Sequence, residues 1–173
     1  MEADEQKRAA YLETIKDIDK SNHVYIDESG IDLSIAKERG WGKKGEKLVG
    51  KKSGKYYQRT NIIAGYVGKK CIAPFMFNGK CNREVFNKWI EEVLIKVLKP
   101  GQVVIMDNAT FHKGEQTKKL IESVGCQLVY LPAYSPDLNP IEKYWGNMKR
   151  WLRENRDKFN GLLDAIDQFL LIT

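Results

Sequence analysis

The apolar positions of this chain change their spacing several times, and each change predicts an element. Tyr11, Leu12, Ile15 and Ile18 recur at helical intervals among charged neighbours, predicting a helix that packs on this domain or on a partner outside it. His23 to Leu33 alternates as a strand, with Val24 and Ile26 on one face, and the polar run Asp27 to Gly30 interrupts it. Glu38 to Lys55 holds too many glycines for regular structure and predicts a long connection. Thr60 to Val67 and Cys71 to Phe77 flank Gly68-Lys69-Lys70, the pattern of an antiparallel hairpin. A stripe of Val85, Phe86, Trp89, Ile90, Val93, Leu94 and Val97 predicts a helix over Asn82 to Leu98, ended by Pro100-Gly101. Gln102 to Met106 is a short apolar strand of the kind covered on both faces, with Asp107 at its end. A helix from Lys113 to Val124, a strand from Gln127 to Leu131 and two further helices follow, the last carrying Leu162, Leu163, Ile166, Phe169 and Leu170. Three strands followed by alternating helix and strand predict an α/β domain, a mixed five-stranded sheet flanked by helices.

Composition narrows the class without naming a chemistry. The 173 residues, 42% of them hydrophobic, suit one domain with a real core: a helix or linker over residues 1–20 and the domain proper over 21–173. The formal charge of +6 is concentrated, because the loop 37–59 carries nine Lys or Arg against two Glu. Such a patch suits a polyanion such as DNA and equally a solvated loop. Cys71, Cys81 and Cys126 are odd in number and lack paired zinc spacing, no signal peptide precedes Met1, and no apolar run is long enough for a membrane span. The expectation is a cytoplasmic protein with reduced thiols and no membrane partner.

Three acids stand at element ends: Asp27, Asp107 and Glu142. Strand ends on one edge of a parallel sheet form a ligand crevice, and two carboxylates brought together there tolerate each other only if cations neutralise them. Each acid alone has a duller reading. Asp27 and Asp107 suit turns, and Glu142 is the third residue of a helix begun by Asn139 and Pro140, where it bonds back to the cap. On the helical wheel Ile141, Trp145, Met148 and Leu152 form an apolar stripe, while Glu142, Gly146, Lys149 and Arg153 share the adjacent face. An acid followed by cations suits a surface that meets phosphates, and cations near a helix C-terminus also suit its dipole.

The combination is more specific than its parts. Asp27-Glu28-Ser29-Gly30, then Asp107-Asn108-Ala109 to His112, then Leu131-Pro132 through Tyr134-Ser135-Pro136 and Leu138-Asn139-Pro140-Ile141-Glu142 occur in order, with 34 residues between Asp107 and Glu142. From Val24 to Asn155 the chain resembles the mariner superfamily of DDE transposases, particularly its bacterial insertion-sequence members. The element order is that of the ribonuclease H-like fold.

The resemblance implies a catalytic and metal-binding triad of Asp27, Asp107 and Glu142 holding two Mg²⁺ ions, with Mn²⁺ as a substitute. It implies two-metal phosphodiester hydrolysis at transposon ends and strand transfer into target DNA. The implied partners are double-stranded DNA, a dimer on that DNA, and a helix-turn-helix end-binding module or upstream frame product; the implied place is the bacterial cytoplasm, at the nucleoid when acting. Lys43, Lys44, Lys51, Lys52, Lys149 and Arg153 are the expected DNA contacts. His112 is expected to pack rather than to act, Trp145 to sit in the core, and Glu28 to point away from Asp27 by strand alternation. Family members carry N-terminal helix-turn-helix modules, whereas one expected helix precedes the domain here. That suits a catalytic fragment, a truncated copy or a split reading frame. The competing functions are a copy that binds DNA without cutting it and a cellular nuclease of the same fold.

Overall fold

The computed structural model describes residues 4–32, 43–45 and 59–173. Most of the expected connection 38–55 lies outside these residues. The five strands are β1 (His23–Asp32), β2 (Arg59–Val67), β3 (Lys70–Asn78), β4 (Val103–Met106) and β5 (Gln127–Tyr130), in the order β3-β2-β1-β4-β5. β1 pairs antiparallel with β2 and parallel with β4, and β4 runs parallel to β5. This is the mixed sheet expected, with the antiparallel hairpin on one side and the parallel pair on the other.

The hairpin closes through Gly68 and Lys69, both at positive φ (54° and 67°), the twist that two-residue hairpin turns require. Further along β3 the register shifts between Ile63 and Gly65 of the partner strand. There Ala73 has φ 52°, and its carbonyl accepts from Trp89 Nε1 at 2.9 Å instead of from the ladder. Pro74 follows in this edge strand, where a missing N–H is tolerated.

Helices α1 (Glu5–Ile15), α2 (Arg83–Glu92), α3 (Glu115–Ser123), α4 (Pro140–Asn155) and α5 (Leu162–Ile172) cover the sheet. One core joins Val24, Ile26, Val104 and Met106 to Phe86, Ile90 and Ile121 of α2 and α3. The opposite core joins Ile31, Ile62 and Ala64 to Ile141, Trp145, Met148 and Ile166 of α4 and α5. The period of two in β1 therefore feeds two different cores. All four residues of β4 are buried, as a strand covered on both faces must be.

Two expectations need correction, and the open packing of the first helix is settled. The helix over Asn82 to Leu98 stops at Glu92, and Leu94–Lys96 forms a separate 3-10 turn. Val93, Ile95 and Val97 are β-branched and crowd a continuing helix, while the tighter turn still buries Leu94 and Leu98 and leaves Val97 exposed. α1 packs on this domain, through Tyr11 and Ile15 against Val103, Ile105 and Leu131, but Leu12 is exposed. Finally, Asp27 does not end its strand, because β1 continues to Asp32 against β2. What ends is the pairing with β4, at Ile26 and Met106, so Asp27 and Asp107 each follow the last paired position.

α4 carries one unexplained weakness. Gly146 lies in its middle and a Cβ there would meet nothing within 4 Å. Glycine in a helix interior costs about 0.5–1 kcal/mol relative to alanine. Gly146→Ala is therefore expected to raise the unfolding free energy by about that amount in a denaturant titration. A decrease would mean that the backbone here needs glycine.

Candidate active site

Asp27, Asp107 and Glu142 line one pocket of about 330 Å³, together with Asn108, Ala109 and the loop Leu131 to Pro136. They arrive from three elements. Asp27 comes from the middle of β1, Asp107 from the turn after β4, and Glu142 from the first turn of α4. The Arg8 guanidinium of α1 grips Asp137 at 3.0 and 2.6 Å, tying the first helix to the turn that leads from the pocket rim into α4.

α4 contributes twice. Its Trp145 packs in the core as expected, and its indole N–H also donates to Asp27 Oδ2 at 3.1 Å. The helix that presents Glu142 thus also orients Asp27, three residues along. The capping explanation of Glu142 does not hold. Asn139 occupies the N-cap position and Pro140 the first turn, but the Asn139 side chain makes no cap hydrogen bond and its backbone amide donates to the Pro136 carbonyl at 3.0 Å, not to Glu142. Asn139 Oδ1 is buried at the pocket wall without a partner among the described residues, and the Glu142 side chain is exposed. Proline at the first turn suffices to start the helix.

Asp107 is held from the other side. Its Oδ1 accepts from the Ala109 amide at 3.0 Å and faces His112 Nδ1 at 2.5 Å. His112 Nε2 lies 2.9 Å from Glu28 Oε1. The ring is fully buried between Phe86 and Phe111, at centroid distances of 4.3 and 4.2 Å. His112 is expected to pack, and Glu28 is expected to point away from Asp27. It does point away, toward the opposite face, where His112 links it to Asp107. Only knowledge of the loop path after β4 could have joined residues 84 positions apart.

The electrostatics follow from this packing. Burial opposes a charge on His112, but hydrogen bonds to Asp107 and Glu28 outweigh it and push its pKa up to about 9. A neutral imidazole carries a single N–H, so two carboxylate contacts call for the imidazolium. Asp107 also feels burial, yet His112 and the Ala109 amide hold it below the ordinary carboxylate value. Asp27 behaves oppositely. Burial, then the charges of Glu142 and Glu28, with a smaller part from Asp107, push it up to about 7 despite the backbone hydrogen bond at Glu28.

These residues fit a hard divalent cation by their donor chemistry. Carboxylate oxygens converge on a pocket whose described lining holds no Lys or Arg, and the buried Asn139 Oδ1 adds an unpartnered oxygen. Among the described residues no three His, Cys, Asp or Glu side chains stand close enough together to hold a metal as placed. The acids line a common pocket without closing on one point.

The expected DNA contacts are more scattered. Lys43 and Lys44 are exposed, Lys51 and Lys52 lie outside the described residues, and Lys149 and Arg153 are half-buried on α4. None of the four described cations lines the pocket. Tyr134 does, 65% exposed and at φ 58°. Among the described residues no helix is long and apolar enough to cross a membrane.

Comparison with known proteins gives a consistent picture. The family model described as DDE superfamily endonuclease matches residues 22–161. The Transposable element Tc3 transposase of Caenorhabditis elegans is 36% identical over 66 residues, which are 34% of this chain and 20% of that protein. A Mos1 transposase paired-end complex with left transposon end superposes on all of this chain at TM-score 0.76 and 16% identity, over 57% of the Mos1 chain. The Mos1 transposase catalytic domain solved with Raltegravir and Mn superposes on 98% of this chain and 80% of that one, at TM-score 0.66 and 14% identity. The chain thus spans 20% and 57% of the Tc3 and paired-end Mos1 chains it matches. At such identities the Mos1 likeness establishes the ribonuclease H-like fold.

Proposed function

This chain belongs to the DDE superfamily of endonucleases, and from that premise we propose that it is the catalytic domain of a DNA transposase that cuts transposon ends and joins them to target DNA. The observation that carries this proposal is the convergence of Asp27, Asp107 and Glu142, from three separate elements, on one pocket. The three are the catalytic acids and would hold two Mg²⁺ ions, or Mn²⁺ in their place. When bound, such ions activate the attacking water or 3′-hydroxyl and stabilise the leaving oxygen in an in-line displacement. Asp107 offers Oδ2, since its other oxygen is engaged by His112 and Ala109. Trp145 fixes the rotation of Asp27, and Glu142 reaches in from the helix start.

The basic segment 37–59 and the Lys149 and Arg153 face of α4 supply the DNA contacts. A helix-turn-helix module or upstream frame product selects the ends, and two copies act together on DNA. Residues 21–173 form the catalytic unit, acting at the nucleoid in the bacterial cytoplasm. The test supplies the chain and an end-binding module with DNA carrying the terminal repeats that flank its gene. Nicking that needs Mg²⁺ or Mn²⁺ and stops with EDTA is expected. Salt-sensitive DNA binding with no metal-dependent nicking would instead identify a copy that binds without cutting.

The Asp27 carboxyl gives a second, activity-free test. Its folded pKa of about 7 lies above the unfolded value of about 3.8, so its contribution to stability is present at low pH and is lost as pH rises through about 7. A cation offsets that loss only where the carboxyl is ionised. Mg²⁺ at ten times its Kd adds about 1.4 kcal/mol, or roughly 3–6 °C of melting temperature for a domain of this size. That rise is expected at pH 8 and should nearly vanish at pH 5.5. An equal rise at both would separate Asp27 from the ion.

A further inference from the structure

β1 sends adjacent acids to opposite faces of the sheet. Asp27 lines the pocket directly. Glu28 enters the core between the sheet and α2, where its side chain is 18% exposed, and there meets His112 Nε2 at 2.9 Å and the Cys81 thiol at 3.7 Å. His112 passes the contact on to Asp107 Oδ1. The loop that carries His112 is pinned at three further points. Arg83 donates to the carbonyls of Thr110 and Lys113 at 3.1 and 3.4 Å, and Tyr130 donates to the His112 carbonyl at 3.1 Å.

We propose that Glu28 is a positioning residue that, through His112, holds the Asp107 carboxylate in one orientation, with Oδ1 engaged and Oδ2 left for a divalent ion. This rests on Asp107 being a metal ligand. Three observations favour it over simple packing. A mostly buried carboxylate and a fully buried imidazole cost desolvation that apolar residues of similar size would avoid. The ring is packed against a tilted Phe86 and an edge-on Phe111, which hold its two nitrogens along the line from Glu28 to Asp107. The only other donor on Asp107 Oδ1 among the described residues, the Ala109 amide, lies in its own turn and does not fix the carboxylate to the sheet. Partners that orient a ligand in this way are commonly worth 10–100-fold in metal affinity.

The test measures Mn²⁺ affinity of the whole chain without DNA, by electron paramagnetic resonance titration, on wild type, Glu28→Gln, Glu28→Leu and Asp107→Asn. Thermal unfolding is recorded for each, and affinities are taken well below each melting temperature. Glu28→Gln keeps an oxygen for His112 and is expected to bind within about threefold of wild type. Glu28→Leu fills the space but breaks the line, with an expected loss of about tenfold. If Glu28→Leu lowers only the melting temperature and binds Mn²⁺ like Glu28→Gln, the positioning role is overturned while Asp107 remains a ligand. If Asp107→Asn binds Mn²⁺ as well as wild type, the ligand assignment falls and the positioning role with it. Should Glu28→Leu fail to fold, His112→Asn makes the same comparison, since its amide can still reach Asp107 but not Glu28. A tenfold loss supports the proposal, and wild-type affinity overturns it.

Discussion

Asp107→Asn is expected to slow metal-dependent DNA nicking about a thousandfold or more while the folded chain survives. The substitution keeps the shape of the side chain and an oxygen for the Ala109 amide and His112, the two contacts that hold it. It removes the negative charge that the pocket offers a cation. Metal-borne charge stabilisation is worth several kcal/mol, and each 1.36 kcal/mol is a factor of ten in rate, which gives the thousandfold figure. Glu142→Gln is the cleaner companion because that side chain is exposed and caps nothing. Its rate loss should be of the same order with an unfolding free energy changed by less than about 0.5 kcal/mol, as for other surface substitutions. The measurement is single-turnover nicking of end DNA with Mg²⁺, beside a denaturant titration of each variant. Wild-type nicking by either variant would remove that acid from the catalytic set.

The elements legible in the sequence were those whose burial is written in local period. β4 reads as a fully buried strand because both of its faces meet a core, and α4 because Ile141, Trp145, Met148 and Leu152 repeat on one side. The pocket was legible for a different reason: Asp27 and Asp107 each follow the last paired residue of neighbouring parallel strands, a relation that pattern and topology together predict. What pattern could not supply was tertiary. The helix after Asn82 breaks at Val93 because the core beneath accepts a tighter turn, although the apolar stripe itself continues to Val97. Asn139 looks like a cap, but its side chain makes no cap hydrogen bond, since the start of α4 is set by Pro140 and by packing. Alternation along β1 correctly points Glu28 away from Asp27, but not to its partner: the opposite face of β1 is where His112 lies, brought there by a loop whose path no local signal records. The hydrogen bond from Trp145 to Asp27 was hidden in the same way, inside a residue whose core role was already sufficient reason for its presence.

His112→Ala is expected to cost about 3 kcal/mol of stability, with a distinctive dependence on pH. Removing the ring leaves Glu28 and Asp107 without the group that separates and neutralises them, and it opens space beside Phe86 and Phe111. Breaking a buried charged contact costs about 3–5 kcal/mol, and the lower end applies because the Asp107 side chain is 50% exposed and partly screened by water. For a domain of this size that is roughly 6–12 °C in melting temperature. The pKa of His112 rises from about 6.5 unfolded to about 9 folded, so its stabilisation is complete below about pH 6.5 and is lost as pH rises through 9. Asp107 shifts the other way, below its unfolded value of 3.8, so its share is present above about pH 4 and fades as acid protonates it. The gap in unfolding free energy between wild type and His112→Ala should therefore be widest between about pH 4 and 6.5 and narrow steadily from pH 7 to 10. Urea titrations at pH 6, 8 and 10 measure it. A gap that stays constant across those three values would mean that the ring holds the loop by packing alone, with no charge passing between the two faces of the sheet.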